Sequence, residues 1–271
     1  MPTVPAGAPR YAGGCLRPVL LRGRADYIDG GTGELLHRYT SVHEAGGVLP
    51  IACKTRRASR CLPCAETYRA DTYQLIRAGL SGGKGVPATV ADHPCVFLTL
   101  TAPSFGRVHA RREKDGRLLR CRPRRGNPTC PHGIRMSCTK EHAPDDDRLG
   151  EPLCPECYDY TGSVLFNAYA PELWRRFVIT LRRSLARQAG LTNTALAAQV
   201  RVSYAKVAEY QRRGVVHFHA VIRLDGPAGP TTTPPAGATL ALLTAAIDQA
   251  ARTGHLDIPA APGLPARTLA W

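Results

Sequence analysis

The chain has 271 residues, with 36 Lys and Arg against 21 Asp and Glu and a formal net charge of +15. Its apolar content of 44% excludes global disorder, and no apolar run approaches the ~18 residues of a membrane span. The first ten residues lack the apolar segment of a signal peptide. We therefore expect a cytoplasmic protein without membrane contact, and the charge favours nucleic acid as its partner.

The pattern along the chain predicts a Cys-rich N-terminal segment, residues 1–90, with a helix over 59–80, followed by a larger domain, residues 91–271. Cys95–Thr101 is β-branched and aromatic, which is typical of a buried strand. Residues 107–158, called the insert below, are rich in Arg, Pro, Cys and Asp and have no apolar periodicity. Because the insert has no core of its own, we expect bound metal to fold it.

The second half of the chain alternates helical and extended patterns. The predicted elements are a helix over 171–188 with Pro171 in its first turn, strands over 202–211 and 215–224, and a helix over 238–252. The two strands are joined by Arg212, Arg213 and Gly214, which favours a hairpin. The predicted fold class is α+β, with a central antiparallel sheet flanked by helices and interrupted by the insert.

Two histidines alternate on the second hairpin strand. His217 and His219 share one face of a strand, and Phe218 points to the other. Two imidazoles form an incomplete metal site, so an oxygen ligand is needed. A three-residue turn places Glu209 directly opposite His217, whereas a two-residue turn points Glu209 away. The alternative is a purely structural pair of histidines.

Longer strings of residues carry a resemblance to a known family. They are Phe97–Thr101, Val207–His219, Arg57–Cys61, Gly31–Leu35 and Asp159-Tyr160. Together they resemble the HUH-superfamily rolling-circle replication initiators, and most closely the actinomycete plasmid initiators of the RepSA type.

The resemblance implies an HUH endonuclease-like fold and a protein that binds a replication origin and nicks one strand. In such proteins a tyrosine attacks the phosphate, and Mg²⁺ or Mn²⁺ polarises it. His217 and His219 match the metal-binding pair of the family, while Glu209 as third ligand follows from the hairpin geometry. The expected partners are single-stranded or origin DNA and a replication helicase or other host replication proteins.

One expected part of the family pattern is missing. The nucleophilic tyrosine should follow the histidines, with a lysine at helical spacing, yet neither residue type occurs after His219. We therefore expect a chain truncated at its C-terminus, and we identify no catalytic residue in it. Whether this polypeptide is an enzyme stays open. The alternative function is a non-catalytic, zinc-stabilised DNA-binding or regulatory module.

The ten cysteines predict zinc sites, since paired thiols in a reducing compartment are more often metal ligands than disulfides. The first predicted set is Cys15, Cys53, Cys61 and Cys64. The second is Cys130, Cys138, Cys154 and Cys157, and its alternative is a loose loop with free thiols.

Arginines close to the predicted metal site are candidates for phosphate contacts. They are Arg212 and Arg213 in the hairpin turn and Arg122, Arg124 and Arg125 in the insert. The alternative is an ordinary solvated surface.

Overall fold

The computed structural model describes residues 12–271. They divide into two compact units, one ending at Gly85 and one spanning Val86–Trp271. The predicted boundary lies a few residues later, at 90/91. Among the described residues, no helix combines the length and the hydropathy needed to cross a bilayer.

The N-terminal unit is built from four short strands and one helix. Strand β1 (Val19–Leu21) pairs with β4 (Leu49–Ile51), and β2 (Arg24–Ile28) pairs with β3 (Leu35–Thr40), both antiparallel. Helix α1 (Leu62–Ser81) starts after Cys61 and ends at Gly82, whose φ of 87° ends the helix. The buried cluster of this unit consists of Cys15, Cys61 and Cys64, so thiols occupy the place of an apolar core.

A three-stranded antiparallel sheet forms the centre of the second unit. Its strands are β5 (Cys95–Thr101), β8 (Arg201–Tyr210) and β9 (Val216–Asp225), in the order β5-β9-β8. The predicted strands agree with these bounds to within a residue at each end. This confirms the α+β class and the central antiparallel sheet.

Three helices complete this unit: α2 (Tyr160–Gln188), α3 (Asn193–Gln199) and α4 (Leu240–Thr253). Leu100, Phe218 and Ile222 of the sheet belong to the same buried cluster as Phe177 of α2 and Leu243 of α4. Fully burying one such side chain stabilises the fold by ~1.5–3 kcal/mol. The helices therefore cover one face of the sheet.

Helix α2 starts well before the predicted residue 171, and Pro171 lies inside it. The reason is an N-cap: the Asp159 carboxylate accepts a hydrogen bond from the Gly162 N–H at 2.8 Å. Proline removes one helical hydrogen bond, but Phe166 before it and Leu173 after it are both buried in the core. Burial on both sides of Pro171 keeps the helix continuous.

The remaining strands form two small hairpins. In the insert, β6 (Arg112–Lys114) pairs with β7 (Arg117–Leu119). Near the end of the chain, β10 (His255–Ile258) pairs with β11 (Arg267–Ala270), and the Arg267 guanidinium binds the Asp159 carboxylate that caps α2. This ion pair ties β11 to the start of the longest helix.

Candidate metal centre

The turn between β8 and β9 sets the register of the candidate site. The Gln211 N–H donates to the Val215 carbonyl at 2.9 Å, and the Gly214 N–H donates to the Gln211 carbonyl at 2.8 Å. Gly214 has a φ of 73°, the left-handed conformation that a three-residue hairpin turn requires. Glu209 consequently lies directly opposite His217, so the predicted register is confirmed.

A side chain of α2 holds this turn in place. Asn167 donates from Nδ2 to the Gly214 carbonyl and accepts from the Val216 N–H through Oδ1, both at 2.9 Å. The sequence did not point to Asn167, because the helix that carries it was predicted to begin later. One amide thus fixes both the turn and the first residue of β9.

Three ligand atoms converge on one face of the sheet. Oε2 of Glu209 lies 3.4 Å from Nε2 of His217 and 3.6 Å from Nε2 of His219. The two imidazole centroids are 4.5 Å apart. Two nitrogens and a carboxylate oxygen at these separations fit one divalent ion, with further coordination positions open on the solvent side.

Strand β5 orients one of the candidate ligands. Thr99 pairs with His219, and its Oγ1 lies 2.9 Å from Nδ1 of that ring. When Nδ1 carries the proton and donates it to Thr99, Nε2 keeps its lone pair toward Glu209. Phe97 also stacks on His219, with centroids 5.6 Å apart and planes inclined by 14°. The ring of His219 is therefore held in the orientation a metal ligand needs.

This face of the sheet, called the metal face below, is open to solvent. Phe97 and Thr99 are exposed, and the Glu209 side chain is 57% exposed. On the other face, Phe218 is buried against Trp174, and Nζ of Lys206 lies 3.9 Å from the centre of the Phe218 ring. Burial lowers the pKa of Lys206. The candidate ligands therefore lie on a face of the sheet that solvent reaches.

The turn arginines make contacts within the protein. Arg213 is half-buried and donates to the carbonyls of Ala102 and Pro103, each at 2.8 Å, which ties the turn to the end of β5. Burial lowers the pKa of Arg213. Arg212 is exposed and donates to the Pro144 carbonyl of the insert at 3.0 Å. Arg213 thus holds the turn, which leaves Arg212 as the more accessible phosphate-contact candidate of the two.

The predicted arginines of the insert lie together. Arg122, Arg124 and Arg125 line a groove of about 680 Å³, with Arg112 as a fourth basic residue. The Nε of Arg122 donates to the Val108 carbonyl at 2.7 Å, so part of this side chain is engaged in the fold. Arg124 and Arg125 are exposed.

The four cysteines of the first predicted zinc set lie within 4.8 Å of one another. The sulfurs of Cys15 and Cys61 are 3.8 Å apart, close to the ~3.8 Å edge of a zinc–thiolate tetrahedron. Backbone N–H groups of Leu16 and Cys53 point at these sulfurs. Several hydrogen bonds, of which the one from the Cys64 N–H has the largest effect, lower the pKa of Cys61 to about 6 and favour its thiolate form.

The second set differs from the prediction in one member. His132 takes the place of Cys138, with its Nδ1 at 3.3 Å from Cys157, 3.7 Å from Cys154 and 3.9 Å from Cys130. A tight turn at Gly133 folds His132 back beside Cys130. Cys138 instead lies across an antiparallel bridge from Arg122, which takes it to Cys121, His109 and His142. The C-x-H spacing of Cys130 and His132 was the available signal.

Comparison with known proteins gives two matches. Residues 6–271 match the sequence model of a family described as "Replication initiator protein, pSAM2". A curated relative from Streptomyces ambofaciens, described as a replication initiator protein, is 52% identical over 279 residues. The match covers 98% of this chain and 57% of the relative, so the chain spans a little over half of its length. No solved structure matches.

Proposed function

Because this chain belongs to the RepSA family of replication initiator proteins, we propose that it binds the origin DNA of a plasmid or integrative element. In this proposal the protein presents one DNA strand to a divalent ion on the metal face, as in HUH endonucleases. The carrying observation is the convergence of His217, His219 and Glu209 on one open point of the sheet.

The donor set suits Mg²⁺ or Mn²⁺, since one carboxylate and two neutral imidazoles leave positions for phosphate oxygens. When bound, such an ion acts as a Lewis acid that polarises the scissile phosphate. The protein's own part is orientation. Thr99 orients the His219 ring through Nδ1, Asn167 fixes the turn, and the register places Glu209 across from His217.

The DNA strand requires contacts beyond the ion. Phe97 and Val207 are exposed at 68% and 42% on the metal face, where they offer apolar surface to bases. The groove lined by Arg122, Arg124 and Arg125 offers guanidinium groups to the phosphate backbone. These two surfaces would hold a melted strand against the site.

The proposed reaction is a tyrosine transesterification. A tyrosyl oxygen attacks phosphorus, the 5′ phosphate becomes linked to the tyrosine, and the 3′ hydroxyl leaves with a proton. No tyrosine follows His219 in this chain, and Tyr204 and Tyr210 alternate onto the face of β8 opposite Glu209. We therefore assign phosphate positioning to His217, His219 and Glu209 and DNA binding to the arginine groove and the metal face. We assign no nucleophile within this chain.

We further propose that the two cysteine-rich groups hold zinc. Cys15, Cys53, Cys61 and Cys64 would form a Cys₄ site, and Cys130, His132, Cys154 and Cys157 a Cys₃His site. Both groups lie where apolar burial is scarce. Zinc would therefore supply folding free energy there.

Binding of a labelled single-stranded origin oligonucleotide, measured by fluorescence anisotropy across a salt series, tests the proposal. Replacing Arg124 and Arg125 by alanine should weaken binding and flatten the slope of log K against log salt by ~0.7 for each phosphate that is no longer neutralised. The matched control replaces Arg182 and Arg183, which lie exposed on α2. Equal losses of affinity from both double variants would contradict the assigned groove.

The same assay with and without Mn²⁺ separates the two candidate functions. The proposal expects Mn²⁺ to strengthen binding of the wild-type chain and not of the His217→Ala, His219→Ala variant. Binding that ignores Mn²⁺ in both proteins would favour the non-catalytic DNA-binding module. A covalent DNA adduct mapped to any tyrosine of this chain would contradict the assignment of no nucleophile.

A further inference from the structure

The insert contains a third group of metal-ligating side chains, made of His109, Cys121, Cys138 and His142. Their ligand atoms lie within 4.8 Å of one another. They are also deeply buried: Cys121 and His142 are 0% exposed, His109 5% and Cys138 9%. Burying two imidazoles and two thiols around one point is costly unless a shared partner satisfies them.

The separations within this group match a zinc tetrahedron. Nδ1 of His109 lies 3.2 Å from Nε2 of His142, and Sγ of Cys138 lies 3.5 Å from the same Nε2. Zinc bonds of ~2.0–2.1 Å to nitrogen and ~2.3 Å to sulfur give edges of ~3.3 Å between two nitrogens and ~3.6 Å between nitrogen and sulfur.

Neighbouring groups orient two of the donors as zinc ligands require. Nδ1 of His142 donates to the Asp146 carboxylate at 2.9 Å, which leaves the lone pair of Nε2 facing the centre of the group. The Ala110 N–H points at Sγ of Cys121 from 3.2 Å. A carboxylate behind a histidine ligand is the usual outer support of a protein zinc site. We propose that these four residues bind a structural zinc ion in a Cys₂His₂ site.

One hydrogen bond must change when the ion binds. Nη2 of Arg148 lies 2.6 Å from Nε2 of His109, and a guanidinium only donates, so the His109 proton sits on Nδ1 in this arrangement. Zinc binding through Nδ1 of His109 moves that proton to Nε2. Nε2 and Arg148 are then both donors, so the hydrogen bond between them breaks. Arg148→Gln offers an amide oxygen to this proton and should bind zinc more tightly at this site.

The site also supports the β8–β9 turn. The Gly150 N–H donates to the His109 carbonyl at 2.9 Å, and a Cβ on Gly150 would lie 2.2 Å from the Arg212 carbonyl oxygen. The turn therefore packs directly on backbone that the site fixes. Losing the ion should increase hydrogen exchange at the Gly214 and Gln211 amides.

Native mass spectrometry of the full chain tests the proposal by counting ions. The background is the His217→Ala, His219→Ala variant, so that the metal face contributes no ion. Adding Cys121→Ser and Cys138→Ser should remove one zinc, while Cys95→Ser, a cysteine outside every group, should remove none. Because the readout is a difference between variants, it stays valid if either zinc site of the proposed function fails.

If the double cysteine variant does not fold, cobalt substitution of the His217→Ala, His219→Ala variant, with all its cysteines present, still tests the proposal. A Cys₂His₂ site adds absorption bands at higher energy and with weaker sulfur charge transfer than the Cys₄ and Cys₃His sites. An unchanged zinc count on removing Cys121 and Cys138, or a cobalt spectrum without the Cys₂His₂ component, would overturn the proposal.

Discussion

The sheet and the insert of the second unit reach a folded state by different means. The sheet with α2 and α4 buries Phe177, Leu181 and Leu243 at 0% exposure, so apolar burial stabilises it. In the insert, the side chains buried to the same degree are Cys121 and His142. We therefore expect the sheet to tolerate the loss of a bound ion and the insert, which has no apolar core of its own, to depend on one.

This difference explains how the candidate site is arranged. The candidate ligands on the metal face lie on strands that the apolar core holds in place, so they can stay partly exposed. The insert differs, because the candidate donors His109, Cys121, Cys138 and His142 are buried, which is typical of structural zinc. The two regions therefore predict opposite responses to the same perturbations.

Metal chelation should have the largest effect. Zinc contributes on the order of 10 kcal/mol of apparent binding free energy in small zinc domains. A strong chelator should therefore abolish amide protection across residues 107–158 while β5, β8 and β9 stay protected. Hydrogen exchange read by mass spectrometry gives the comparison within one sample. Equal loss of protection in the sheet would show that the two regions do not differ as described.

Phe177→Ala should destabilise the sheet rather than the insert. The cavity it leaves should lower the free energy of unfolding by ~3–5 kcal/mol. Adding a chelator should not increase this loss in the free energy of unfolding. Phe97→Ala is the matched control, because Phe97 is 68% exposed and its truncation should change stability by less than ~0.5 kcal/mol. Similar losses from both variants in urea unfolding would contradict the placement of the core.

A buried ion cluster at the end of β9 gives a third prediction. Asp225 is 0% exposed and accepts hydrogen bonds from Arg223, His93 and Ser203. Asp225→Asn removes the buried carboxylate that Arg223, His93 and Ser203 share, which should cost about 3 kcal/mol in urea unfolding. Asp248→Asn, an exposed aspartate of α4, serves as the control and should be neutral.

The pH dependence of stability follows from the same cluster. Burial raises the pKa of Asp225, but the hydrogen bonds from Arg223, Ser203 and His93 outweigh burial and hold it below its usual range. A lowered carboxyl pKa contributes stability that is complete above the unfolded value of ~3.9 and is lost as the pH falls through the folded value. Asp225→Asn should therefore flatten the acid limb of the stability curve. An unchanged limb would contradict this.

The smallest effect concerns the orientation of one ligand. Thr99→Val removes the hydroxyl beside His219 and should weaken Mn²⁺ binding about tenfold with little change in stability. Thr101→Val is the control, since Thr101 lies on the same strand as Thr99 and pairs with His217 of β9. Isothermal titration with Mn²⁺ compares the two. A larger loss from the Thr101 variant would contradict the role given to Thr99.

The sequence was most informative where local chemistry decides the structure. Gly214 supplies the left-handed residue of a three-residue turn, and the period of two along a strand then places Glu209 with the histidines. The start of α2 was missed because the Asp159 cap lies far from the apolar stripe that reveals the helix. Such a cap is a single side-chain contact without periodicity.

The ligand sets of the insert could not be read from spacing alone, although the set Cys15, Cys53, Cys61 and Cys64 could. Whether His132 or Cys138 joins Cys130 depends on which backbone bridge the intervening loop forms, and that bridge links Cys138 to Arg122. The role of Asn167 could likewise not be predicted, since its contacts to the turn join residues far apart in the chain. Long-range pairing, unlike a turn or a strand period, leaves no local signature.

Pulsed electron paramagnetic resonance of Mn²⁺ bound to the zinc-loaded chain tests the central claim most directly. The metal face should bind one Mn²⁺ with nitrogen couplings from two imidazoles. Replacing either His217 or His219 by alanine should remove one coupling, and replacing both should abolish binding. Mn²⁺ that binds without nitrogen couplings, or binds unchanged to the double variant, would show that these residues do not form the metal centre.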